Sequence, residues 1–496
     1  MQNKKIYLIL LCLGIVPFAY WLYKYINVDL WYDEVYSLKH FVLGDFEKTL
    51  LNYPLPNNHV FFNFTSQLIS RLFSIRHLSQ IAEHIYVLRL FQVLITLFTA
   101  YYSVQLVKRV FKVNYNLLVI SVLFTTIPFM NFSLQLRGYN MSSFFLIMVV
   151  YHTWAFIEKR KNRDSVFIVI SSVLLIYTIP SNIYMLGSLL IALVLFFIYH
   201  KKRYRSWSKA YFNPITLIVL GIIICTIFYL PILKNIIFNK FSSRDASSVF
   251  YSLGLIPKLF LAFLSKRYLL IILFIIGSWF IIRGSKKKEK QLFTLFLFLF
   301  LFPFILSFLH QKFPFQRVFV SLSPIFSVLI TIPIIKLTQK IPNSSFTVFC
   351  TFIIPIYCAS VFLNEMKNND IEISDKLVNR GEIAQNIYLN YYLSDSFNQK
   401  ETMKHLKSIS GNKMVILYNQ IDLPSTHLYL SMNKVNFINI HSKEKLEQII
   451  LENKTIFLLT SFKNQMLNEL DKLNTVTSTV IMDKYPISNI IRISKK

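Results

Sequence analysis

The sequence predicts an all-α polytopic membrane domain of about eleven transmembrane helices over residues 1–363, followed by a small extracytoplasmic α/β domain over residues 364–496. Three observations carry that prediction. Of the 496 residues, 54% are hydrophobic and 47 are Phe, a composition foreign to soluble globular domains. The apolar residues come in runs that approach the roughly 20 residues a bilayer core requires. Basic residues gather between those runs, while fourteen of the 24 acidic residues fall after Asn364.

The charge excludes one reading and supports another. A formal net charge of +29 would point to nucleic acid in a soluble chain. Here the positive residues occupy alternate connections between apolar runs, which is the signature of cytoplasmic loops and not of a nucleic-acid surface. The four cysteines, Cys12, Cys225, Cys350 and Cys358, all lie inside apolar runs and read as small buried hydrophobes, not as a disulfide frame or a zinc site.

Taken in order, Lys4-Lys5 precede the apolar run 6–23, which lacks a small-residue cleavage site and reads as an uncleaved first helix. Further spans are expected at 85–107, 117–131, 141–157, 166–179, 183–198, 215–230, 269–282, 292–309, 318–335 and 346–362. Lys108-Arg109 with Lys112, residues 158–163, residues 201–205, Lys286-Lys287-Lys288, and Lys336 with Lys340 fill every second connection. The positive-inside rule places them in the cytoplasm, so the amino terminus is expected inside and the carboxyl domain outside the plasma membrane. Two connections on the outer side are long, 27–84 and 231–267. Within them, residues 41–51, 60–73 and 256–264 carry apolar residues at helical spacing and are expected as interfacial helices. In the tail, residues 413–418 and 454–459 suit buried strands, and 442–453 and 461–473 suit helices. It holds no glycine-rich nucleotide loop.

The polar residues that stand out share one side of this map. Asp33 and Glu34 follow the first span, at a membrane edge where ionisable groups usually serve function. His59 ends Pro56-Asn57-Asn58-His59, Gln135 and Leu136-Arg137-Gly138-Tyr139 follow the third span, and Arg317 ends Pro314-Phe315-Gln316-Arg317. A carboxylate can take a proton from a hydroxyl or amine, and an arginine can neutralise a departing phosphate by bidentate contact. Together they point to group transfer from a phosphate-linked lipid donor.

In their order and sidedness, the Asp33-Glu34 pair, the Asn58-His59 turn, the Arg137-Gly138-Tyr139 stretch and the late Arg317 resemble a known superfamily. It comprises the dolichyl-phosphate-mannose protein mannosyltransferases and the lipid A aminoarabinose transferases, polytopic glycosyltransferases of the GT-C fold. The likeness covers roughly the first 330 residues. It implies a polyprenyl-phosphate sugar donor, an acceptor lipid, glycan or protein at the outer membrane face, Asp33 as the base, and Arg137 and Arg317 on the donor phosphate. His59, Tyr139 and Gln135 are expected to bind substrate. Related sequences often carry an acid where this chain has Gln135, which can hydrogen-bond a sugar but cannot carry a proton as a carboxylate does. No cofactor is implied with certainty, and the residues leave divalent-metal dependence open.

Adjacent helical residues project in different directions, so Asp33 and Glu34 are not expected to share a proton. Asp33 is read as the base, with Glu34 orienting the acceptor or a neighbour such as His59. A single base with direct attack implies inversion at the anomeric carbon. Two other classes fit the composition. A transporter or flippase of lipid-linked glycans would place ionisable residues in mid-span, where these runs hold almost none. An O-antigen ligase or polymerase would use similar donors with a different layout of motifs.

Overall fold

The computed structural model describes residues 2–375 and 399–496, apart from positions 57, 112–114, 204, 240–243, 246–248, 311, 314–315, 342–343, 412, 421–422, 474 and 484–487. Asn57, Lys112, Pro314 and Phe315, which the sequence singled out, therefore lie outside the described residues. The chain packs as two compact units, one of residues 1–23, 44–69 and 87–365, the other of residues 24–43, 70–86 and 366–496.

The first unit is helical and is that of a multi-pass membrane protein. Among the described residues, seven helices are long and apolar enough to cross a membrane, or up to nine if each of two bent pairs counts as one span. The most apolar stretch of Gln316–Lys340 is wholly buried, whereas only 28% of that of Tyr211–Ile237 is, so the former is the central helix and the latter peripheral. Peripheral faces are apolar stripes: Leu90, Leu94, Leu97, Phe98 and Tyr101 lie exposed along one side of Tyr86–Phe111. In water such a stripe would be a large sticky patch; in a bilayer, lipid covers it. Cys225, Cys350 and Cys358 are buried and form no disulfide, as their apolar surroundings require.

One expected span, 117–131, is broken within itself, and another, 269–282, meets the expected interfacial helix 256–264 at a sharp bend. Asn116–Phe124 and Ile127–Leu134 meet at 74°, and Ile256–Leu264 meets Leu269–Gly284 at 111°. The first break falls at Thr125-Thr126, ahead of Pro128, which has no N–H to continue a helix. The second turns through Ser265 and Lys266 at φ +50° and +58°, a left-handed conformation that non-glycine residues hold only when their surroundings fix it. The two breaks fix each other. Arg267, fully buried, donates to Val122 O at 2.8 Å, Thr125 Oγ1 at 2.5 Å and Thr126 Oγ1 at 3.1 Å, and also to Leu264 O and Phe263 O. Ser265 Oγ accepts the Ile127 N–H at 3.0 Å. One guanidinium thus satisfies carbonyls that both broken helices would otherwise strand in an apolar interior. The expected span 166–179 is a 17-residue helix, Asn162–Thr178.

Four of the five basic connections converge at one end of this unit. Arg109 pairs with Glu158 at 2.7 Å, Lys288 with Glu158 at 3.2 Å, and Lys336 with Glu289 at 2.6 Å. Lys336 was expected, with Lys340, in a cytoplasmic connection. It is buried, because Glu289 one helix away neutralises it.

In the second unit, five strands form a mixed sheet. With Arg244–Asp245 as β1 and Lys312–Phe313 as β2, an antiparallel pair of the first unit, the sheet strands are β3 (Val415–Tyr418), β4 (Phe437–Ile440), β5 (Thr455–Thr460), β6 (Val476–Met482) and β7 (Asn489–Lys495). Their order is β4-β3-β5-β7-β6, with β3 parallel to β4 and β5, and β7 antiparallel to β5 and β6. β3 and β5 are the two strands expected from their apolar runs, which are continuous because both faces are covered. The two expected helices are Lys443–Glu452 and Lys463–Asp471. Their Leu446, Ile450, Met466 and Leu470 pack on one face of the sheet.

The long connection 27–84 does not behave as one loop. Asp29 accepts the Gln399 and Lys400 N–H groups at the start of Lys400–Ser410, and Leu30 N–H donates to Tyr429 Oη at 2.7 Å, all within the second unit. The expected helix 41–51 is interrupted: a π turn, Leu38–Val42, ends before Gly44, and Phe46–Leu51 starts afresh with Asp45 at its N-cap. Val60–Leu72 is a single helix.

Candidate active site

The site grows from a turn. Helix Ile127–Leu134 is capped by Gln135, and Tyr139–Lys159 begins four residues later with Gly138 at its N-cap. The carbonyls left open by so tight a reversal need donors. Gln92 supplies them from Tyr86–Phe111, its Nε2 donating to Gln135 O and to Arg137 O, each at 2.9 Å. Asn140 in turn holds Gln92, with Nδ2 donating to Gln92 O, Gln92 Oε1 and Thr96 Oγ1. Gln92 and Asn140 were not expected from the sequence. The signal was there: a fully buried amide within an apolar span must find a polar partner.

His59 closes the turn from the other side. Its Nδ1 accepts the Gly138 N–H at 2.8 Å, and its Nε2 stands 3.4 Å from Arg137 Nη2. Gly138 is glycine for want of space, since a Cβ there would meet Thr178 Cγ2 at 2.7 Å and His59 Cβ and Nδ1 at 3.1 Å. Asn58 anchors the His59 segment by donating to Thr49 O and Asn52 O while accepting from Asn63 Nδ2.

Tyr139 is the hub. Its ring lies edge-on to His59 with centroids 4.8 Å apart, and the Arg137 and Arg317 guanidinium carbons are 5.8 and 6.0 Å from its centroid. Both cations thus sit within cation–π range of one ring, which gathers like charges that would otherwise repel. His59, Gln135, Arg137 and Tyr139 are buried and Arg317 is half-buried. Gln135 Nε2 has no hydrogen-bond partner among the described residues. Burial above all, then Arg137 and Arg317, holds the His59 imidazole well below its ordinary pKa.

The structure therefore brings together His59, Gln135, Arg137, Tyr139 and Arg317 in the first unit. Asp33 and Glu34 belong to the second unit, on the short helix Tyr32–Ser37, and both are buried. Glu34 Oε2 accepts the Trp31 N–H at 2.9 Å, so this carboxylate caps its own helix. Among the described residues no three His, Cys, Asp or Glu side chains converge as a metal site would need.

No protein-family model matches the chain, and no match is found among curated proteins. Solved structures do resemble it. ArnT from Cupriavidus metallidurans superimposes with a TM-score of 0.50 at 11% identity in its apo state, covering 99% of this chain and 98% of that one. ArnT with undecaprenyl phosphate bound gives 0.50 at 12% over the same shares. The chain adopts the GT-C fold of ArnT. The Archaeoglobus fulgidus oligosaccharyltransferase in complex with zinc and sulfate gives a TM-score of 0.44 at 11% identity, covering 91% of this chain and 67% of that one.

Proposed function

We propose that this protein is a membrane glycosyltransferase that moves a sugar from a polyprenyl-phosphate donor to a cell-envelope lipid, glycan or protein on the outer face of the plasma membrane. The observation that carries the reading is the convergence of Arg137 and Arg317 on one Tyr139 ring beside His59. It occurs in a chain whose fold is that of ArnT, a protein solved with undecaprenyl phosphate bound.

In this mechanism the Asp33 carboxylate accepts the proton of the acceptor hydroxyl or amine. The acceptor atom bonds to the anomeric carbon as the bond from that carbon to the phosphate oxygen breaks, and the electron pair leaves on the phosphate. Arg137 and Arg317 stabilise the charge that develops there. Glu34, engaged with the Trp31 N–H, holds the helix that presents Asp33. Direct displacement with one base inverts the anomeric centre.

The reading is tested with purified protein, a radiolabelled polyprenyl-phosphate sugar, and product stereochemistry. Asp33→Asn keeps shape and hydrogen bonding but loses basicity, and turnover falls by roughly 10²-fold or more. Glu34→Gln retains an acceptor for Trp31 and has the milder effect. Wild-type turnover by a folded Asp33→Asn, or a retained configuration in the product, would overturn the assignment.

A further inference from the structure

We propose that the basic end of the first unit holds one anionic phospholipid, with its headgroup phosphate against Arg283, Lys286 and Lys340 and an acyl chain along the outer face of Leu269–Gly284. The site is set by two glycines. A Cβ on Gly277 would collide with the Pro333 carbonyl, so the missing side chain lets Leu269–Gly284 lie directly on the backbone of Ser323–Lys340. Seven residues further along both helices the contact recurs, where a Cβ on Gly284 would lie 3.3 Å from Lys340 Nζ. The two helices therefore run parallel and end together, with the Lys340 ammonium laid against Gly284. Arg283 stands one residue before that glycine and Lys286 two residues after it. Three exposed cations from two elements thus gather at one point.

The same helix turns an apolar stripe outward. Ile272, Ile275, Ile276 and Trp279 are exposed, while Leu270, Leu273, Gly277 and Ile281 are buried on its other side. In a multi-pass membrane protein such a stripe meets acyl chains, and the turn where it gives way to charge lies at the level of the headgroups. Trp279 and Arg283 stand at that turn, with Arg283 Cζ 3.7 Å from the centroid of the indole ring. An indole suits the boundary between acyl chain and water, and a guanidinium stacked on its face keeps an N–H edge for an acceptor. Among the described residues, no carboxylate pairs with Arg283, Lys286 Nζ or Lys340. Glu289, the only acidic residue from 269 to 340, is engaged by Lys336 Nζ at 2.6 Å and by the Lys286 N–H at 3.2 Å. The cluster therefore keeps its positive charge beside a lipid-facing surface. A zwitterionic headgroup offsets its phosphate with its own ammonium, whereas an anionic phospholipid brings an uncompensated phosphate to this depth. Each basic residue near such a headgroup is worth about fivefold in binding.

Trp279 itself reports the occupant. Full-length protein in phosphatidylcholine nanodiscs is titrated with phosphatidylglycerol brominated on its acyl chains, which quenches an adjacent indole, and Trp279→Phe gives the background from the other tryptophans. Half-quenching of Trp279 is expected at a mole fraction at least about tenfold lower than with brominated phosphatidylcholine. Lys286→Gln and Lys340→Gln, both at exposed positions, are each expected to lower that preference about fivefold. Lys161→Gln removes another exposed cation of the same end and is expected to leave the preference within about twofold of wild type. Inorganic phosphate, compared with chloride at equal ionic strength, is expected to leave the quenching unchanged. Equal quenching of the wild type by the two brominated lipids overturns the proposal, and needs no variant to fold. A loss in Lys161→Gln as large as that in Lys340→Gln also overturns it, since the attraction would then belong to the whole basic end. Reversal of quenching by phosphate alone shows a site for a free anion and overturns the lipid assignment.

Discussion

At the scale of single residues, the tightest constraint in the candidate site is the approach of His59 to Gly138. A methyl group at position 138 would press on Thr178 Cγ2 at 2.7 Å and on the His59 ring at 3.1 Å, and overpacking of this kind costs roughly 1–3 kcal/mol. Gly138→Ala is therefore expected to lower thermal stability and to cut turnover by displacing His59. Adding Thr178→Ser removes the closer clash, so the double variant recovers stability in a thermal-shift assay but not turnover. Full turnover in Gly138→Ala would show that the contact sets nothing. The motif Leu136-Arg137-Gly138-Tyr139 was readable in the sequence, but the reason for its glycine was not, because His59 lies 79 residues away along the chain.

Among elements, the two broken helices carry the most information. Each break leaves carbonyls without helical partners, and Arg267 answers both sets at once. Replacing it by Leu strands several buried acceptors at about 1–3 kcal/mol each, so a loss of about 3 kcal/mol or more is expected. Lys offers only a point charge with three donors and restores part of the loss. The check is thermal unfolding in detergent, and an unchanged melting temperature in Arg267→Leu would refute the clamp. From sequence, Arg267 was merely the end of a long connection, and the segments 117–131 and 256–264 gave no hint of a shared partner. Hydropathy counts apolar residues and is blind to the direction in which a helix leaves a break.

For the whole molecule, the distribution of charge along the helices is the organising fact. Tyr139–Lys159 begins at the Arg137–Tyr139 turn and ends at the ion pairs of Glu158, so the site and the basic cluster lie at opposite ends of a helix about 30 Å long. Arg317 and Lys336 stand in the same relation on Gln316–Lys340. By the positive-inside rule the basic end is expected in the cytoplasm. Reporter fusions after Arg163 and Arg205 are expected to read cytoplasm, and fusions after Asn364 the outer side; an outer signal at Arg205 would reverse the map.

By itself the sequence determined what depends on composition and period. A run of apolar residues long enough for a bilayer can do little else, and continuous apolar runs such as 454–459 become strands covered on both faces. Hence the helical membrane domain, the sheet in the tail and the alternation of basic connections could be read without coordinates. It also marked Arg137, Tyr139, Arg317 and His59, because polar groups at membrane edges stand out against so apolar a background. Tertiary structure alone decided which groups meet: that Tyr139 faces both arginines, that Gln92 holds the turn from Gln135 to Arg137, that Lys336 is buried on Glu289, and that Glu34 caps its own helix. Each of these is a hydrogen bond, ion pair or ring contact of a few ångströms, and several join residues tens of positions apart. Local sequence fixes the period of an element, but not which distant donor will find its open acceptor.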